Sequence, residues 1–118
     1  MLEIRENLSH ENYDFSGDNI HITEAFENNT VTGYIAYSYE TDRTVIHGLD
    51  DGGDLLLCDG LIRSVIFKST LKSISTLVFD TADCLDNIRK LGFLTADGNT
   101  TENIDRFMNG CSECKHRN

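Results

Sequence analysis

The hydrophobic period changes once along this chain, and that change limits the fold more than any other feature. Before about residue 50 apolar side chains recur every second residue. Leu2 and Ile4 alternate with charges, and Ile20, Ile22, Glu24 and Phe26 keep the same period. A period of two places successive side chains on opposite faces of a strand. Glu27-Asn28-Asn29-Thr30 separates two such runs, and paired asparagines tolerate the left-handed backbone of a tight hairpin. The next strand puts Val31, Gly33, Ile35, Tyr37 and Tyr39 on one face, with Thr32, Tyr34, Ala36 and Ser38 on the other. Glu40 to Arg43 forms a second turn, and Thr44 to Leu49 a third strand of this meander.

From Asp54 the period becomes helical. Asp54 is a helix cap, and apolar residues at 55, 58, 61, 62, 65 and 66 follow on one side, over a helix predicted to reach Ser73. Gly60 lies inside it at a cost of about 1 kcal/mol against alanine, which suggests a close backbone approach. Leu77-Val78-Phe79 reads as a short central strand. Asp80 or Thr81 is expected to cap a second helix carrying Cys84, Leu85, Ile88 and Leu91, which stops at Gly92 with Phe93 as the apolar contact beyond it. Phe93 to Ala96 and Asn103 to Met108, joined through Asp97-Gly98-Asn99, are expected to form a closing hairpin. The predicted order is β-β-β-β-α-β-α-β-β, a mixed α+β sheet with helices packed on it.

At 118 residues one domain is expected over 1–118, with an N-terminal strand and acidic loop over 1–19 and a polar tail over 109–118. No run approaches the roughly 20 apolar residues of a bilayer span, and no signal-peptide pattern is seen, so a soluble cytoplasmic protein is expected. The net charge is −10 and is uneven: residues 1–59 hold 13 acids against two bases. That imbalance repels phosphates and argues against nucleic acid and anionic membrane as partners. Of the four cysteines, Cys58 and Cys84 sit among apolar neighbours as small core residues. Cys111-Ser112-Glu113-Cys114 is a CxxC pair, read as free tail thiols, as half of a zinc site or intersubunit contact, or as a redox dithiol.

The residues from about Glu24 to Phe107 resemble the Gcn5-related N-acetyltransferases. Thr32-Gly33-Tyr34-Ile35-Ala36-Tyr37 is similar to a strand of that family's meander, and Val45-Ile46-His47-Gly48-Leu49 to the strand that ends at its acyl-coenzyme site. Leu61-Ile62-Arg63-Ser64 lies in the helix after the coenzyme loop. Asn87-Ile88-Arg89-Lys90-Leu91-Gly92-Phe93 matches the family's N…YxKLGF segment, the most specific of these pieces. The two helices that follow the family's first strand are missing. The resemblance implies acetyl-CoA or another acyl-CoA as cofactor, an amine or cationic small molecule as acceptor, and a coenzyme loop formed by Leu49, Asp51, Gly52, Gly53, Asp54, Leu55 and Gly60.

The residues at those positions depart from the family's pattern. Its R/Q-x-x-G-x-G/A loop sets glycine backbone and a helix N-terminus against a diphosphate. Here Asp54 stands at the Arg/Gln position, and Leu57 and Asp59 at the two small ones. Gly52-Gly53 reads as a degenerate cofactor loop, as a tight turn into the helix, or with Asp50, Asp51 and Asp54 as an acidic cation site. Val45 stands where the family often has a general-base acid and Ile88 where it has a proton-donating tyrosine; neither can move a proton. His47 and Tyr39 are the remaining candidates for catalysis. Two functions follow: acyl-CoA-dependent N-acetyl transfer with a degenerate loop, or a non-catalytic binding or regulatory module that keeps the fold. The free edge of the closing hairpin suggests a homodimer.

Overall fold

The computed structural model describes residues 2–7, 13, 15 and 19–108. Six strands form one sheet whose spatial order is the chain order: β1 (Leu2–Glu6), β2 (Ile20–Glu27), β3 (Thr30–Tyr39), β4 (Thr44–Asp50), β5 (Thr76–Phe79) and β6 (Thr100–Glu102). Helix α1 (Leu55–Leu71) connects β4 to β5, and the short α2 (Leu85–Lys90) connects β5 to β6. Every neighbouring pair is antiparallel except β4 and β5, which run parallel across the α1 crossover. The mixed α+β sheet expected from the change of period is the observed one.

Local chemistry explains most element boundaries. Asn28 and Asn29 both have positive φ, 56° and 70°, as a two-residue hairpin turn demands. The Asp54 carboxylate accepts hydrogen bonds from the Leu56 and Leu57 N–H groups and so starts α1. Leu57, Cys58, Leu61, Ile62, Val65, Ile66 and Ser69 then form the stripe that α1 buries against the sheet. The helix ends at Leu71, two residues earlier than expected, because Ser73 takes a left-handed conformation. Gly92, at φ 86°, closes α2 by donating to Arg89 O, and the Phe93 N–H donates to Ile88 O. The core lies between α1 and the sheet around Ile35, Tyr37, Ile46, Leu77, Phe79, Ile88 and Phe93, all at most 2% exposed. Burying each such large side chain contributes about 1.5–3 kcal/mol.

Three expectations need correction. The closing hairpin does not form: residues 93–96 are not a strand, and Thr100–Glu102 pairs directly with β5, followed by a helical turn over 105–108. Asp97-Gly98-Asn99 only bends the chain, and Phe93 and Phe107 pack edge to face against each other at 4.8 Å. Arg63 Nη1 holds the Phe107 carbonyl at 2.6 Å and fixes that arrangement. Second, neither Asp80 nor Thr81 caps α2. Thr81 Oγ1 accepts from the Asp83 N–H, and Cys84, at φ 57°, holds the cap position without a side-chain bond to the helix N–H groups. Third, Val31 does not share a face with Gly33. A bulge inserts Thr32, so Ala25 faces Gly33 while the next β2 residue, Phe26, faces Val31. Cys111, Cys114 and the rest of the tail lie outside the described residues.

Candidate functional site

A second bulge shapes the region where a ligand site was expected. Ala36 faces Gly48 and Tyr37 faces Ile46, so His47 is the extra residue on β4. The parallel ladder with β5 stops at the same level, with Ile46 opposite Phe79 and a last bond from the Asp80 N–H to Ile46 O at 2.8 Å. Beyond that point β4 continues to Asp50 without β5, and the two strands splay. A bulge bends its strand and sharpens the local twist, which accounts for the divergence.

The chain itself fills the mouth of this splay. The Leu49 N–H donates to Asp83 Oδ2 at 3.3 Å, and the Cys84 thiol donates to the Leu49 carbonyl at 3.6 Å. The left-handed conformation of Cys84 turns that thiol inwards at the start of α2. Both backbone groups that Leu49 would offer to a ligand strand or an extended arm are therefore taken by the segment before α2.

The loop between β4 and α1 is closed in the same way. Gly52 N–H donates to Asp50 Oδ1 at 2.9 Å, and Gly53 N–H to Asp51 Oδ1 at 2.8 Å. Asp54 N–H donates to Asp51 O at 2.9 Å. Leu56 and Leu57 N–H groups reach Asp54 Oδ1 at 2.9 and 3.3 Å. Gly52 and Gly53 take positive φ, 61° and 79°, which lets the backbone curl round these carboxylates. Asp51 is buried, and Asn87 Nδ2 donates to its other oxygen at 2.8 Å. Burial alone would raise the Asp51 pKa. Hydrogen bonds from Asn87, the Gly53 N–H and the thiols of Cys84 and Cys58 outweigh it and hold the carboxyl below its usual range. The cysteines answer in the opposite sense: burial first, then the Asp51 charge, pushes Cys58 up to about 12, and burial leads the rise of Cys84 to about 11.

A coenzyme diphosphate would need these same N–H donors and positive potential around them. The donors are held by three carboxylates of the chain, and a diphosphate would meet their charge at contact distance. The residues present do not fit that group. Gly60 does not belong to the loop: a Cβ there would lie 3.5 Å from Ile4 Cδ1, an ordinary contact, so no close approach requires the glycine. Leu55 is partly exposed on the first turn of α1. A cleft of about 370 Å³ does open beside the loop, but on its β1 side, between Leu2, Thr32, Gly52, Asp54 and Leu56.

The two catalytic candidates lie on adjacent strands, His47 on β4 and Tyr39 on β3. His47 Nε2 lies 2.8 Å from Ser38 Oγ, which in turn donates to Glu40 Oε2 at 2.9 Å. Tyr39 faces Thr44 at the opposite end of β4 from the loop, about 20 Å away at 3.3 Å per residue. Its ring packs on His21 and Tyr37, and burial pushes its hydroxyl up to about 12. Val45 is half-buried, and Ile88 is fully buried in the core. Sequence reasoning missed Asp83 and Asn87, because each acts through a partner distant along the chain, and the Ser38–Glu40 pair, which meets His47 only once β3 and β4 are paired. Among the described residues no group of three His, Cys, Asp or Glu side chains is placed to hold a metal ion. No helix among them is long and apolar enough to cross a membrane.

No family model matches the sequence, and no curated protein matches it significantly. Solved structures do match. The ribosomal-protein-S18-alanine N-acetyltransferase of Escherichia coli superposes with a TM-score of 0.62 at 12% identity, over 87% of this chain and 94% of that one. The aminoglycoside N-acetyltransferase AAC(6')-Iy, in complex with CoA, gives 0.61 at 15% identity over 80% of this chain and 93% of its own. A GNAT-family acetyltransferase from Elizabethkingia anophelis with acetyl-CoA bound gives 0.59 at 17% identity, over 81% and 78%. Identities this low carry the architecture alone. The six-stranded mixed sheet with its α1 crossover is thus that of a small chain with the fold of the Gcn5-related N-acetyltransferases.

Proposed function

We propose that this chain is a binding or regulatory module built on an acetyltransferase fold, with its coenzyme loop converted into a closed structural turn. One observation carries the reading: the N–H groups of Gly52, Gly53, Leu56 and Leu57 are already bonded to Asp50, Asp51 and Asp54. An anion entering there must displace carboxylates and then face them. The absence of proton-moving side chains at Val45 and Ile88 points the same way. The test is a calorimetric titration with acetyl-CoA and with desulfo-CoA. The expected result is binding weaker than about 1 mM, worth no more than about 4 kcal/mol. Saturable micromolar binding of either compound overturns the proposal.

A second reading, acyl-CoA-dependent N-acetyl transfer to an amine, is favoured by the coenzyme seen in structures of this fold. Its acceptor would be an amine or cationic small molecule, matched to the acidic first half of the chain. Approach of amine to thioester would supply most of the rate. His47, bonded through Ser38 to Glu40, would then be the base. The same titration separates the two readings. Zinc held by Cys111 and Cys114 is a further expectation, and metal analysis of the purified protein tests it.

A further inference from the structure

β1 ends the sheet as a five-residue strand exposed along its whole length. Its hydrogen-bonding phase can be read from β2. The Asn7 N–H donates to Ile22 O at 2.6 Å, and the register runs unbroken from Glu6 opposite Thr23 to Leu2 opposite Glu27. Bonded and non-bonded pairs alternate in an antiparallel ladder. Glu3 and Arg5 therefore turn their backbone groups towards β2, while Leu2, Ile4 and Glu6 turn theirs outward. At the opposite edge β6 has three residues, Thr-Thr-Glu, and offers far less.

The side chains of β1 divide by the same alternation. Ile4 points towards Gly60 of α1, and Glu6 reaches Lys68 of α1 at 3.7 Å. On the other face Arg5 lies over the Phe26 ring at 4.1 Å, beside Glu3 at 3.9 Å. The α1 face that Gly60 turns to β1 also carries Leu56, Phe67 and Leu71, which are 81%, 51% and 70% exposed. Among the described residues no strand pairs with the outer edge of β1, and an exposed apolar stripe flanks this edge, on which Leu2 and Ile4 are also exposed.

We propose that β1 pairs antiparallel with β1 of a second copy about a two-fold axis at Ile4, joining two six-stranded sheets into one. The charge pattern selects this occupant and this direction. About Ile4, antiparallel pairing sets Glu3 directly opposite Arg5 of the second copy, and does so twice. Parallel pairing would bring Glu3 beside Glu3 and Arg5 beside Arg5, which is repulsive. The outward phase of Ile4 makes the central pair a bonded one, which a two-fold axis there accommodates. The α1 stripes of both copies lie on one face of the joined sheet and cover the seam where Leu2 and Ile4 stand.

Sedimentation velocity up to about 100 µM tests the proposal, and a species of twice the 13.3 kDa chain mass is expected. Arg5→Glu turns both cross-strand attractions into repulsions and is expected to raise the dimer dissociation constant about tenfold or more. The double exchange Glu3→Arg with Arg5→Glu restores pairing. Ile4→Pro removes an outward N–H while leaving the β2 bonds in place, and is expected to give a folded monomer by circular dichroism. A wild-type monomer throughout that range overturns the proposal. So does a dimer that persists unchanged in both Arg5→Glu and Ile4→Pro.

Discussion

Replacing Asp51 with alanine is the most informative single perturbation of the loop. The buried carboxylate accepts from Gly53 N–H and Asn87 Nδ2, both at 2.8 Å. Hydrogen bonds to a charged group contribute about 1.5–3 kcal/mol each, and a buried donor left without a partner costs about 1–3 kcal/mol. Water reaching the partly exposed side of Asn87 returns some of this, so the expected loss is about 3–4 kcal/mol. Set against a typical stability of about 5–15 kcal/mol, that is a large fraction. At about 2.1 cal/mol/K per residue, the unfolding entropy of a 118-residue chain is about 0.25 kcal/mol/K, and Tm should fall by about 12–16 °C. Urea unfolding followed by circular dichroism measures the loss, and a double-mutant cycle with Asn87→Ala isolates the pair, with an expected coupling of about 1.5 kcal/mol. Because the Asp51 pKa is lowered in the folded chain, its stabilisation is complete above about pH 4. It is lost as pH falls from there through the folded-state value. An Asp51→Ala protein within 1 kcal/mol of wild type, or a coupling near zero, would refute the reasoning.

Two further outcomes follow from the packing. A Cβ at Gly33 would run into the Asp50 carbonyl and stand 3.0 Å from Leu57 Cδ2, so Gly33→Ala should cost about 2–3 kcal/mol. Gly60→Ala meets only ordinary contact and should gain up to about 1 kcal/mol of helix propensity; chemical denaturation giving the reverse order would contradict both assignments. The raised thiols of Cys58 and Cys84 should react with iodoacetamide at pH 8 at least about tenfold more slowly in native protein than in urea, as read by peptide mass spectrometry. Rapid native labelling of Cys58 would show that Asp51 and the core do not shield it.

The elements that could be read from sequence are those whose cause is local. The Asn28-Asn29 hairpin, the Asp54 cap and the Gly92 stop each rest on a few neighbouring residues, and each stands as expected. The closing hairpin failed because a non-local contact decided it: Phe93 and Phe107 pack on each other and on Arg63 rather than joining the sheet. The bulge at Thr32 was invisible because alternation alone cannot reveal an inserted residue. At the site, the aspartates of the loop were legible as charge. Their internal bonding was not, since Asn87 is 36 residues from Asp51 and Asp83 is 34 from Leu49. The signal that could have found part of it is the Asp-x-Gly spacing of Asp50-Gly52 and Asp51-Gly53, a recurrent short-range turn in which a carboxylate accepts from the N–H two residues on.

A sheet whose strands lie in space as they lie in the chain has a simple assembly problem. Each of the first three pairings can zip from a neighbour already in place, and the β2–β3 turn needs only two residues to reverse direction. The longest closure is the β4–β5 contact, which must wait for a loop of 25 residues to close and for α1 to form within it. Loop closure costs rise with length, and topology governs folding speed in small domains. The rate-limiting encounter should therefore be the docking of β5 beside Thr44–Ile46, with the N-terminal meander acting as its template.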